Sequence, residues 1–170
     1  MTQQQKIYYD ILSLDNWSIY IATTDKGLCF VGSMNGEIQE LKDWVHKKRP
    51  NSLLIKQDLT HTPYAAQLTD YLKKERKTFD LPIDVTGTPF QLLVWQELQK
   101  IPYGKIISYS DIANNINMPN AARAVGTAIG ANPLLIVVPC HRVLAKNGKL
   151  TGFRGGLLMK EKLLELEEFI

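Results

Sequence analysis

The chain reads as two domains. Residues 1–85 form a small α/β unit, a β-sheet with helices, and residues 86–170 form a mostly helical unit that contains a helix-turn-helix. Three observations predict this division. Strand-like alternation opens the first half, Gly87-Thr88-Pro89 punctuates the middle, and helical spacing dominates the second half. A chain of 170 residues holds one generous core or two small ones.

In the first half, IYYDILSL (7–14) and WSIYIATTDKGLCFVG (17–32) read as strands, with Asp25-Lys26-Gly27 as a turn. Ile19 with Ile21, and Leu28 with Phe30, alternate as in a sheet with one buried face. Cys29 is then a small strand side chain. Residues 35–48 set Ile38, Leu41, Trp44 and Val45 at helical spacing. A second helix over 63–76 starts with Pro63 after Thr62 and presents Leu68, Tyr71 and Leu72. A strand-like FDLPIDV comes next (79–85).

Beyond Gly87, Thr88 caps and Pro89 opens a helix through FQLLVWQELQKI, which Pro102-Tyr103-Gly104 ends. Ser110 starts the next helix, and AARAVGTAIGAN forms another after Pro119-Asn120. These two, 110–117 and 120–130, have helix-turn-helix proportions. The second presents Ala121, Ala122, Thr127, Gly130 and Ala131, with Arg123 its only long polar side chain. Readers of the major groove offer several long donors and acceptors to base edges. A face of small residues instead permits close backbone approach, either to a narrower groove or to another helix.

Leu134–Val138 is an apolar run read as a buried strand or extended core segment, and Pro139 ends it. Cys140 and His141 come directly after. Ala145–Lys149 reads as a hairpin-like turn around Asn147-Gly148. Thr151–Gly156 is a loop entering the last helix. There Met159, Leu163, Leu166 and Ile170 form an apolar stripe, opposite the solvated Glu161, Glu165 and Glu168.

Charge narrows the partners. Residues 1–85 balance 11 basic against 11 acidic side chains, whereas residues 86–160 carry 8 basic against 2 acidic. That excess suits a polyanion, or a merely solubilising surface. The N-terminus has no basic and apolar secretory pattern, and no apolar run reaches membrane-spanning length, so a cytoplasmic protein with no membrane partner is expected. Two cysteines and no CxxC or HExxH spacing point to free thiols and to no metal site.

The Cys140-His141 pair is open to three readings: metal ligand, inert core thiol or nucleophile. A free thiol is only a few per cent thiolate at neutral pH, so a nucleophile needs a base or a positive neighbour. Glu167 lies on the apolar stripe of the last helix, where a carboxylate is costly unless paired. It either orients His141 or sits in partial solvent at the helix end. Asn132-Pro133 either fixes the approach to Cys140 or is ordinary turn chemistry.

From Phe90 to Glu167, through PYGKIISY, NAARAVGTAIGANP, VPCHRVL and TGFRGGLLMKEKLLELE, the chain resembles the O6-alkylguanine-DNA alkyltransferase family. Members are also called methylated-DNA–protein-cysteine methyltransferases. The resemblance is looser over residues 1–85, which lack the four-cysteine zinc module of the fused relatives, and it fits the stand-alone form. It implies Cys140 as alkyl acceptor, His141 as base through water, Glu167 as its orienter, and Asn132 as brace of the active-site segment. Tyr109 would press a phosphate and protonate the base. Arg123 would fill the gap left by a flipped nucleotide, with Ala121 and Ala122 as the close-approach surface in the minor groove. The backbones of Val143, Phe153, Arg154 and Gly155 would line the substrate pocket. Phe153 and Arg154 stand where relatives can have Tyr and Ser. The resemblance further implies a monomer acting once per molecule, without cofactor, on double-stranded DNA bearing O6-alkylguanine or O4-alkylthymine.

Overall fold

Strand β1 (Gln5–Leu14) is the spine of the first unit in this computed structural model, which describes residues 3–170. It pairs antiparallel with β2 (Trp17–Thr24) and parallel with β4 (Ser52–Lys56), while β3 (Gly27–Val31) pairs antiparallel with β2. The sheet order is therefore β3-β2-β1-β4. A register shift at Ala22/Thr23 adds local twist. Helix α1 (Ile38–Lys48) buries Leu41 and Val45 against Ile7, Ala22, Cys29 and Phe30. Helix α2 (Pro63–Leu72) starts where Thr62 accepts from the Ala65 amide, and it buries Ala65, Leu68, Tyr71 and Leu72.

Three features differ from the sequence expectation. The 79–85 segment is no strand. It makes a single bridge, Leu28 to Ile83, held by Leu28 N–H to Pro82 O (3.0 Å) and Asp84 N–H to Leu28 O (2.8 Å). Pro82 has no amide to donate, so a longer ladder cannot form, yet the segment still covers the edge of β3. Strand β4 has no counterpart in the sequence reading, because SLLIK is too short to show a period. Helix α2 ends at Leu72 rather than residue 76, and Lys74 takes a left-handed φ of 63°. Arg49 and Asp84 form a buried pair at 3.0 Å, and Thr24 Oγ1 also donates to Asp84. Burial in the same core pushes the Cys29 thiol up to about 12, so this cysteine is inert.

The chain divides into two units at Val85/Thr86. In the second, α3 (Pro89–Leu98) carries a capping box between Thr88 and Gln91, and buried Trp95 donates its indole N–H to Ala128 O at 2.8 Å. Helix α4 (Tyr109–Asn115) begins one residue earlier than expected. Its cap is Ser108, paired reciprocally with Asp111. Asn117 at φ 61° turns the chain into α5 (Ala122–Gly130), which buries Val125, Ala128 and Ile129. The pair is a helix-turn-helix, and α5 leaves Arg123, Ala124, Thr127 and Gly130 exposed.

Leu134–Val138 is buried, apart from half-buried Val137, but is not a strand. It is a run of tight turns with Ile136 at φ 73°, closed by Val138 N–H to Leu134 O (3.0 Å) and Cys140 N–H to Val138 O (2.7 Å). A single 3₁₀ turn, Cys140–Arg142, leads into β6 (Val143–Leu144), which pairs parallel with β5 (Ile107–Ser108). The turn at 145–149 closes through Gly148 N–H to Ala145 O (2.8 Å). The final helix α6 (Leu157–Leu166) buries Met159, Leu163 and Leu166, but Ile170 lies beyond its end and is exposed. Among the described residues no helix is long and apolar enough to cross a membrane.

Candidate active site

Asn132 organises the turns that carry Cys140. It lies just past the end of α5, and its Oδ1 accepts from the Leu134 amide at 2.9 Å. Its Nδ2 donates to Val138 O at 3.0 Å and reaches Cys140 Sγ at 3.2 Å. One buried amide therefore braces the apolar run and touches the sulfur at its end. The brace is legible from Asn-Pro, whereas the direct contact with sulfur is not.

Adjacent residues on a 3₁₀ turn splay by about 120°. Cys140 faces Asn132 while His141 faces α6. His141 Nε2 lies 2.6 Å from Glu167 Oε2, and both side chains are fully buried. Glu167 is the residue that ends α6, and it draws three further donors. Arg142 Nε and Nη2 bind its two oxygens at 2.8 and 2.9 Å, and the Gly104 amide adds 3.0 Å. Three such donors favour the ionised carboxylate, and an ionised carboxylate only accepts, so the short contact with His141 fits the Nε2–H tautomer. Arg142 directs its remaining fork to Ile101 O (2.7 Å) and stacks on Tyr103 with its guanidinium carbon 5.7 Å from the ring centroid.

Burial sets the resting protonation. It pushes the Cys140 thiol up, against the Asn132 hydrogen bond and the charges of Arg154 and Lys160. It pushes His141 down, against its bond to Glu167. Both directions favour a neutral thiol and a neutral imidazole near neutral pH, with Arg154 and Lys160 opposing the rise of the thiol. Cys140 is 1% exposed.

A second network runs beside the first. Lys160 is 0% exposed, and its Nζ donates to Val143 O (2.7 Å) and Thr151 O (2.8 Å). Desolvation pushes this ammonium down to about 8. Thr151 also meets the Tyr109 hydroxyl, whose oxygen is 3.3 Å from Thr151 Oγ1 and 3.5 Å from Gly152 O. The Tyr109 ring lies against Gly126 of α5, where an added Cβ would sit 3.8 Å from it. Cys140 O takes the Val143 amide and Val143 O takes Lys160, leaving one lone pair on each.

The expected residues thus fall into separate groups. Cys140 meets Asn132 in one buried cluster and His141 meets Glu167 in another, the two joined by the backbone of the Cys140–Arg142 turn, while Tyr109 and Val143 meet through Thr151 and Lys160. Arg154 reaches Asn132 O (2.9 Å) and Pro133 O (3.3 Å), while Gly155 packs so closely that a Cβ would come 2.8 Å from Phe153 and 3.1 Å from Leu135. Arg123 stands apart on exposed α5, with Ala121 and Ala122 half-buried at its start. Arg142 and Lys160, both counted in the basic excess of residues 86–160, are interior. Lys160 lies seven residues before Glu167, two helical turns away on the apolar stripe, a signal open to the same argument. Among the described residues no cluster of three His, Cys, Asp or Glu side chains could hold a metal ion.

Residues 89–169 match the model of the 6-O-methylguanine DNA methyltransferase, DNA binding domain, and residues 7–85 that of the 6-O-methylguanine DNA methyltransferase, ribonuclease-like domain. The chain belongs to the 6-O-methylguanine DNA methyltransferase family. It is 55% identical over 167 residues to the inducible methylated-DNA–protein-cysteine methyltransferase of Bacillus subtilis, covering 98% of this chain and 93% of that one. Identity is 41% with the methylated-DNA–protein-cysteine methyltransferase of Methanosarcina acetivorans, over 95% of this chain and 98% of that one. The fold is similar to Mycobacterium tuberculosis OGT in complex with DNA, with a TM-score of 0.80, 36% identity, and coverage of 96% and 92%. As a member of this methyltransferase family the chain is an enzyme of DNA repair.

Proposed function

We propose that this protein moves the alkyl group from O6 of guanine in duplex DNA onto Cys140 Sγ, once per molecule, and acts likewise on O4 of thymine. One observation carries the reading. The Cys140 sulfur takes an amide donor from Asn132, and the next two residues of the same turn enter a buried imidazole–carboxylate–guanidinium chain. Its relatives named methylated-DNA–protein-cysteine methyltransferases support the substrate class.

The thiol proton passes to His141 through a bridging water, since the two side chains point apart, and Glu167 stabilises the imidazolium. The thiolate, supported by Asn132, Arg154 and Lys160, attacks the alkyl carbon. The S–C bond forms as the C–O6 bond breaks, the Tyr109 hydroxyl protonates the departing guanine at N3, and the proton held by His141 returns through solvent to restore Tyr109. The product is a thioether, which has no easy hydrolysis route, so turnover ends with one transfer. A base in the stack cannot meet a buried thiol, so the target is flipped out. The exposed small-residue face of α5 approaches the minor groove, and Arg123 fills the vacated position. The protein acts as a cytoplasmic monomer and needs no cofactor.

The test mixes protein with an equimolar oligonucleotide carrying O6-methylguanine and weighs the peptides. The expected result is one methylene mass gained by the Cys140 peptide, with product never exceeding protein. An unmodified Cys140 beside bound DNA, or product in many-fold excess, would overturn it. Arg123→Ala is expected to slow transfer from duplex DNA by about tenfold or more, since the unstacking cost of a few kcal/mol is left uncompensated. Transfer from single-stranded substrate should slow far less, and equal losses on both would remove Arg123 from the flipping step.

A further inference from the structure

We propose that Arg154 is a positioning residue that latches the 151–156 segment onto the Asn132–Pro133 backbone, and so governs access to Cys140. Its guanidinium reaches two consecutive carbonyls, Nε to Asn132 O at 2.9 Å and Nη2 to Pro133 O at 3.3 Å. A planar fork suits such a double contact, which an ammonium cannot reproduce. Asn132 is gripped on both sides. Its carbonyl holds Arg154 while its side-chain amide touches Sγ at 3.2 Å.

Glycine turns flank the tip of the latched segment. Gly152 at φ 25° and Gly156 at φ 90° bracket it, conformations that glycine adopts without strain. Between them Gly155 lies so close to Met159 and Leu135 that an added Cβ would come 2.5 and 3.1 Å from their side chains, which ties the segment to the turns that carry Cys140. With the latch closed Cys140 is 1% exposed, so a base-sized group reaches the sulfur only after neighbouring contacts loosen, and Arg154 is the proposed point of release. Arg154 itself is half-buried, so its two backbone partners can be exchanged for water or phosphate at small cost. The positive charge also favours the thiolate once the site opens. The same side chain thus withholds the nucleophile at rest and supports it when engaged.

The inference rests on Cys140 as the reacting thiol, but its test does not need DNA. Wild type, Arg154→Ser and Arg154→Lys are treated with iodoacetamide across a pH series carried upward until the rate at Cys140 levels off, since burial pushes this thiol above the ordinary range; Lys160, whose charge also acts on the thiol, is common to all three proteins. Peptide masses separate Cys140 from Cys29. The high-pH plateau reports access, and the midpoint reports charge. Both variants are expected to raise the plateau about tenfold, the worth of a charge-assisted hydrogen bond. Only the serine variant should move the midpoint upward. Unchanged plateaus in both variants overturn the latch, and a shifted midpoint with no plateau change reduces Arg154 to a charge. A wild type that accepts no methyl group from DNA would sink the proposed function while leaving the plateau comparison intact.

Discussion

Glu167→Gln is expected to slow transfer by about 10³–10⁴-fold, the scale seen when an amide replaces the carboxylate behind a catalytic imidazole. Two losses combine. The amide no longer imposes the Nε2–H tautomer, and it no longer stabilises the imidazolium of the proposed proton transfer. The same change strips Arg142 of its counter-charge inside the protein, where Nε and Nη2 both bind Glu167. Removing one partner of such a buried pair costs about 3–5 kcal/mol. Urea unfolding and single-turnover transfer read the two effects separately. The double variant Arg142→Met, Glu167→Gln removes the stranded charge and should recover much of the stability while transfer stays slow. If stability and transfer recover together, Glu167 serves the fold alone. If Glu167→Gln transfers at the wild-type rate, the imidazole chain has no part in the chemistry.

The sequence exposes Glu167 for a physical reason that does not extend to its partner. A carboxylate on an apolar stripe breaks a local pattern visible within one helix. Arg142 breaks none, because its burial is decided by Glu167, 25 residues on, and by Ile101, 41 residues back. The helix-turn-helix is legible because punctuation and small-residue spacing are local. Ser108 and Ser110 are both good caps, and only the Asp111 box singles out Ser108. Leu134–Val138 reads as extended because an apolar run looks alike in a buried strand and in buried turns. What bends it is Asn132, whose side chain stands in for a backbone partner, together with Ile136 in the left-handed region. That bend matters for function, since a straight strand would carry Cys140 away from the amide that touches its sulfur.

Lys160→Met should leave stability near neutral pH within about 2 kcal/mol of wild type, yet slow transfer by about 10–100-fold. Methionine keeps the apolar stem and removes a desolvated ammonium, which offsets the loss of donors to Val143 O and Thr151 O, worth about 1–3 kcal/mol each. Transfer suffers because an ammonium beside a forming thiolate is favourable in a site with little water. The decisive measurement is the pH dependence of stability. Lys160 titrates at about 8 in the folded protein, and a lysine in the unfolded chain at about 10.4. Between those values the unfolded state holds a proton that the folded state has released, so wild-type stability rises with pH. The rise amounts to about 3 kcal/mol across the window, and the methionine variant lacks it. A constant difference between the two proteins from pH 8 to pH 10.5 would show an ordinary lysine. An unslowed variant would instead leave Asn132 and Arg154 as the thiolate's support. The two readouts are independent, because the stability rise needs only a buried ammonium, whereas the rate loss needs that ammonium to act on Cys140.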